Sequence, residues 1–198
     1  MELTPEQIAG LDLALDEATL LGLEVCPERG AAAATFAVLT LPEEGPPPKD
    51  SRRQFLFSPI GRVAASLRHG HWDDSSAPVE PFTIDKLLSV VQSFGGAPIY
   101  GAEFIDCERY FARWSGRLSL DFVCDPGATE HSIQLFQEGA GPNRILNIRL
   151  WFRDVLIRDA EGADILLAEF IAGGKRWWDG LNSGDPRTDG YGIYPFKT

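Results

Sequence analysis

The sequence predicts an α+β domain, an antiparallel β-sheet with covering helices, arranged as two related β-β-long β-α halves. Three observations predict it. Two long stretches, Gln54 to His69 and Ile145 to Arg158, have the β-rich composition and side-chain alternation of strands. Each follows two shorter β-type stretches and precedes a segment with helical spacing. Turn-forming residues separate the short strands, Pro27-Glu28-Arg29-Gly30 in the first half and Asp125-Pro126-Gly127 in the second.

At 198 residues the chain suits a single domain, 1–198. The halves run over about 18–96 and 115–182, as an internal duplication would give, with an N-terminal helix at about 5–15 and a C-terminal tail at 183–198. A chain of this length buries roughly 70% of its unfolded surface, enough for a core without disulfides or metal.

The first helix is announced by Thr4 as N-cap, Pro5 in the first turn and Gln7 closing a capping box, with Leu3 and Ile8 as a hydrophobic staple. Ile8, Leu11 and Leu15 give it one apolar face. Strands follow at Leu20 to Cys26 and Thr35 to Leu41. Pro42 to Arg53 is a loop, because its three consecutive prolines cannot join a ladder. The long strand Gln54 to His69 carries Pro59 and Gly61, which mark a bulge or bend. Thr83 is the expected N-cap of a helix with Ile84, Leu87, Leu88 and Val91 on one face, ended by Gly95-Gly96.

A strand around Ile99 to Ile105 leads into the second half. Strands are expected at Leu118 to Cys124 and His131 to Gln137, then Ile145 to Arg158 after a glycine-rich loop. The last helix runs from about Leu167 to Leu181. Its stripe is Phe170, Gly174, Trp177, Trp178 and Leu181, and a glycine inside that stripe implies close backbone packing.

Composition excludes several classes. The 29 acidic and 18 basic residues give a net charge of −11, which repels a phosphate backbone or an anionic bilayer, so neither nucleic acid nor membrane is an expected partner. No apolar run reaches the ~20 residues of a membrane span, and the start lacks the pattern of a signal peptide. Cys26, Cys107 and Cys124 are odd in number and widely spaced, which predicts reduced thiols and a cytoplasmic location.

Two constellations invite chemistry. On the long second strand, Leu146, Ile148, Leu150, Phe152 and Leu156 form the expected core face, leaving Arg149, Trp151 and Arg153 on the other. Such a row can stack on a planar group or pair with an anion, or it can lie under another element with its arginines paired to acids. In His69-Gly70-His71-Trp72-Asp73-Asp74, the side chains of His69, His71 and Asp73 share one side of an extended chain. With Asp74 where a final histidine belongs, the run departs from the metallo-β-lactamase motif. His71 and Asp73, with His131 as distal ligand and Arg144 after it, resemble the facial triad of non-haem iron oxygenases. That resemblance implies a divalent transition metal at His71, Asp73 and His131, with His69 nearby.

The loop after the last helix adds Asp185 and Arg187 to Asp179, Asp189 and Tyr191, either as the rim of a site or as an ion pair pinning the tail. No phosphate-binding glycine loop, dinucleotide fingerprint or serine elbow occurs. The expectation is a non-catalytic binding or protein-interaction domain without cofactor. Its partner is a basic protein, or a small planar or anionic ligand. The alternative is a metal-dependent enzyme.

Overall fold

The computed structural model describes residues 3–71, 74, 76–103, 116–139 and 143–189, and of 100–103 the backbone alone. Among the described residues the architecture is α+β, with eight strands in one sheet. The elements are α1 (Pro5–Leu15), β1 (Thr19–Cys26), β2 (Ala31–Ala37), β3 (Arg52–His69), α2 (Leu87–Gln92), β4 (Ile99–Glu103), β5 (Leu120–Val123), β6 (His131–Glu138), β7 (Arg144–Arg158), β8 (Asp164–Ile165) and α3 (Leu167–Ser183). Every strand pairing is antiparallel, and the strand order is β1-β2-β3-β7-β6-β4. β5 pairs with β3 beyond the end of β2, and β8 pairs with the end of β7.

The two long strands form the spine, paired from Gln54↔Arg158 to His69↔Arg144. The sheet then curls until its end strands touch, since the Ile99 N–H donates to the Ala18 carbonyl at 2.8 Å and Thr19 bridges Pro98. Inside this curl lies one apolar cluster that includes Phe36, Phe55, Phe57, Ile60, Val63, Leu146, Ile148, Leu150 and Phe152. Aromatic edges meet faces within it, as Phe55 does with Phe36 and Phe170, both at centroid separations of 5.2 Å.

Local chemistry explains the helices. At Thr4 the capping box is complete: the Gln7 N–H donates to the Thr4 hydroxyl at 3.2 Å, and the Thr4 N–H donates to Gln7 Oε1 at 2.9 Å. Thr83 takes the N-cap position, but its side chain makes no capping hydrogen bond. Its hydroxyl donates to the Asp85 carboxylate instead, and a 3-10 turn, Ile84–Lys86, precedes the α-helical residues. Phe170, Gly174 and Trp177 lie on the buried face of α3. Leu181 is exposed, because Gly173 and Gly180 join that face and rotate it away from the expected stripe. Among the described residues no helix is long and apolar enough to cross a membrane.

One expected face changes partway along β7. Leu146 through Phe152 alternate inward as predicted, but Leu156 is 37% exposed whereas Ile157 is 2% exposed. The inward face shifts between Phe152 and Val155, opposite the Ser58–Gly61 stretch of β3, where Pro59 supplies no N–H and Gly61 is an extra residue in the register. Beyond that point Leu56 and Leu156 oppose each other on the outer face.

Candidate functional site

The row Arg149, Trp151 and Arg153 is not an open stripe. Arg149 is fully buried, and its Nη2 donates to the Ser132 hydroxyl at 3.0 Å. Trp151 is 8% exposed. Two guanidinium groups lie over its ring, Arg149 at 4.8 Å and Arg62 at 5.3 Å from the centroid, and Arg62 is also held by Asp121 through contacts of 2.6 and 2.8 Å. Arg153 alone reaches the surface, where its Nε donates to Glu130 at 2.6 Å and holds that carboxyl below its ordinary range. The outer face is covered because the chain returns across it. The Ser66 hydroxyl donates to the Arg117 carbonyl at 2.9 Å, and Leu118 packs with Ala64 and Trp151. Alternation distinguishes the two faces of a strand but does not show which face another segment will cross.

The remaining arginines of β7 are engaged too. Arg158 pairs with Asp164 at 2.8 Å, while Arg144 donates to the Ser93 hydroxyl at 3.1 Å and stacks over Phe94.

The histidines are not gathered. His69 lies opposite Arg144, and its Nε2 is 2.6 Å from Glu80. His71, just beyond, is exposed. His131 lies opposite Phe152, with its ring 5.8 Å from that phenyl ring. Arg144 and Phe152 are separated by eight residues of β7, or roughly 26 Å at strand rise. His131 therefore does not meet His71, and Asp73 lies outside the described residues. Among the described residues no group of three or more His, Cys, Asp or Glu could hold a metal ion. The facial-triad arrangement does not fit this fold.

Asp185 and Arg187 do come together, as a brace. Asp185 accepts the Arg187 backbone N–H at 2.9 Å and its side-chain Nη2 at 2.7 Å, and its own N–H donates to the Gly180 carbonyl. Arg187 Nη1 reaches the Gly45 carbonyl at 3.3 Å and the Pro42 carbonyl at 3.5 Å, tying the end of α3 to the proline-rich loop. Of the other expected rim residues, Asp179 pairs with Lys175 on α3, and Tyr191 lies outside the described residues.

The Arg187 hydrogen bonds hold the Asp185 carboxyl below its ordinary value of 3.8. A carboxyl with a depressed folded-state pKa stabilises the fold fully above its ordinary value, and that contribution is lost as pH falls through the folded one. Asp185→Asn should therefore speed amide exchange at Glu43, Glu44 and Gly45 at neutral pH and flatten the acid limb of stability. Exchange unchanged from wild type would show that the loop is held by other contacts.

A different surface emerges on the outer face of β1, β2, β3 and β7. The register sets Glu24, Ala33, Leu56 and Leu156 in one transverse row. Beside it, Cys26 opposes Ala31 and Ser58 opposes Asp154. They line an open groove of about 670 Å³. Its floor is low because Ala31 and Ala33 point outward from the run Ala31–Ala34, while Ala32 and Ala34 point into the core. Its far wall exists because β7 changes face and turns Leu156 outward. Glu24, Arg29 and Asp154 supply polar groups.

No protein-family model, curated protein or solved structure matches the chain. The groove offers apolar contact to a side chain laid across the sheet, with carboxylates at two ends to meet positive charge. The run of alanines was the sequence signal for it. The inward-outward change at Phe152, which completes the groove, leaves no comparable mark in the composition of β7.

Proposed function

We propose that the protein is a non-catalytic binding module and that the outer groove of β1, β2, β3 and β7 docks an aliphatic, positively charged segment of a protein partner. The observation that carries this reading is the Leu56–Leu156 pair, turned outward beside an alanine floor on a sheet face left open among the described residues. Glu24 and Asp154 outnumber Arg29 at the groove, and with a net charge of −11 they favour a basic occupant over an acidic one. Free thiols at Cys26 and Cys124 suit a reducing, cytoplasmic setting. The metal-dependent alternative draws no support from the separate placement of His71 and His131.

The test is a titration of isotopically labelled protein with a peptide of alternating lysine and leucine, followed by NMR. Amide shifts should concentrate at Ala31, Ala33, Leu56 and Leu156. Ala33→Arg, which fills the floor and adds positive charge at an outward-facing position, should weaken binding at least ~10-fold, about 1.4 kcal/mol. The association rate should also fall between low and physiological salt. Shifts centred elsewhere, or affinity untouched by Ala33→Arg, would remove the groove from consideration.

A further inference from the structure

The outer face of β3 carries a second feature near its C-terminal end, away from the groove. After the bulge, Arg62, Ala64, Ser66 and Arg68 point away from the core, and Arg62 is occupied by Asp121. Arg68 is placed differently. It is 8% exposed, its Nε is sealed from water without a hydrogen-bond partner, and it forms no ion pair among the described residues.

Its surroundings deepen the imbalance. Arg117 crosses the same face: its carbonyl accepts the Ser66 hydroxyl, and its Nη2 donates to the carbonyl of Ala77, two residues before the Val79 that bridges Arg68, so its charge opposes that of Arg68. The carboxylate that acts on Arg68 is Asp74, whose Oδ1 already accepts the Ser76 N–H at 2.8 Å and the Ser76 hydroxyl at 2.6 Å. Asn147 is buried on the same sheet face, opposite Ser66. Burial, reinforced by Arg117, pulls the Arg68 guanidinium below its ordinary pKa.

A guanidinium keeps its charge throughout the physiological range and presents five donors in a planar fork. Taking it out of water beside a like charge is costly unless an anion compensates. The complement to two guanidinium groups at one place is a compact group with several acceptor oxygens.

We propose that Arg68 and Arg117 form a binding site for a small oxyanion. The site is independent of the groove, because it lies at the other end of β3 and uses charge rather than apolar contact.

The experiment follows the melting temperature of the full chain during titration with inorganic phosphate and, separately, acetate, with chloride at matched ionic strength as reference. A ligand bound only by the folded state raises melting temperature in proportion to its occupancy. Phosphate should give a rise that chloride does not, and calorimetry should show a saturable isotherm. Arg68→Gln and Arg117→Gln should each weaken the affinity at least tenfold, whereas Arg62→Gln should leave it intact. A response to phosphate alone assigns the site to phosphate groups, and a response to both anions assigns it to oxyanions generally.

The absence of any saturable response, or a response preserved in Arg68→Gln, overturns the proposal. A second variant guards against a misfolded Arg68→Gln. In anion-free buffer Arg68→Met keeps the aliphatic stem and removes the uncompensated charge, so it should melt no lower than wild type. A clear drop would mean that Arg68 is already satisfied within the protein, and would equally overturn the site.

Discussion

Gly61→Ala should destabilise the protein by about 3 kcal/mol or more, at the upper end of what overpacking costs. Gly61 is the extra residue of the β3 bulge, between Ile60 opposite Phe152 and Arg62 opposite Trp151. The turn after β5 lies directly on it. The Gly61 carbonyl accepts the Cys124 N–H at 2.9 Å and the Asp125 N–H at 3.2 Å, and the Ala128 N–H donates back to the Asp125 carbonyl. A Cβ at position 61 would stand 2.1 Å from the Ala128 carbonyl oxygen and 2.9 Å from its carbon. Both are backbone atoms, so no side-chain rotation relieves the clash. Either the turn lifts and loses its hydrogen bonds to Ile60 and Gly61, or β3 shifts and disturbs its pairing with β7. With an m-value of ~1–3 kcal/mol per molar urea, the unfolding midpoint should fall by at least about 1 M. Gly116→Ala is the matching control, because its added Cβ meets nothing within 4 Å, and it should stay within about 0.5 kcal/mol of wild type. A Gly61→Ala midpoint equal to wild type would show that the turn does not depend on this close approach.

Gly61 was legible from the sequence because a glycine two residues after a proline inside a strand has few physical meanings. The same holds for Thr4 and Gln7, whose capping box depends on atoms three residues apart and on nothing remote. Features that depend on distant segments were less legible. The strands of the first half pair in sequence, β1 with β2 and β2 with β3, but β5 pairs with β3 rather than with β6. The duplication therefore stays a proposal. It rests on similar element order and on the antiparallel β3–β7 pair at the centre, each long strand flanked outside by a shorter one.

The candidate sites divide along the same line. Asp185 and Arg187 are neighbours in sequence, and their pairing follows from short-range geometry. Arg149 and Trp151 have an unmistakable common face, yet their burial depends on residues near Leu118 that cross from another part of the chain. Period alone could not place Leu156 either, since its outward turn arises where both long strands change face near Pro59 and Gly61. The histidines show the opposite failure. His71 and His131 suggest ligand spacing along a chain, but antiparallel pairing sets one beside the Arg144 end of β7 and the other opposite Phe152, eight positions along it.

Gly174→Ala tests the other close approach that sequence anticipated, where α3 crosses α1. Ala raises intrinsic helix propensity by about 1 kcal/mol over Gly, so propensity alone predicts stabilisation. Packing predicts the reverse. The new Cβ would lie 2.5 Å from the Ala14 Cβ and 2.6 Å from its Cα, and the Cα cannot rotate away. Separating the helices would also disturb Leu11, Ala14 and Leu15, all buried on α1, and the Trp178 Nε1–H that donates to the Leu13 carbonyl at 2.9 Å. Overpacking of ~1–3 kcal/mol against a gain of ~1 kcal/mol leaves a net loss of up to roughly 2 kcal/mol. Ala14→Gly sharpens the test through a double-mutant cycle. Removing the Ala14 Cβ relieves the first contact but leaves the second, so the double variant should show a favourable coupling of about 0.5–2 kcal/mol without full recovery. Urea unfolding of the four proteins measures it. If Gly174→Ala is more stable than wild type, α1 yields to the added methyl and propensity dominates at this crossing. If it is less stable but the cycle is additive, the loss arises elsewhere than at Ala14.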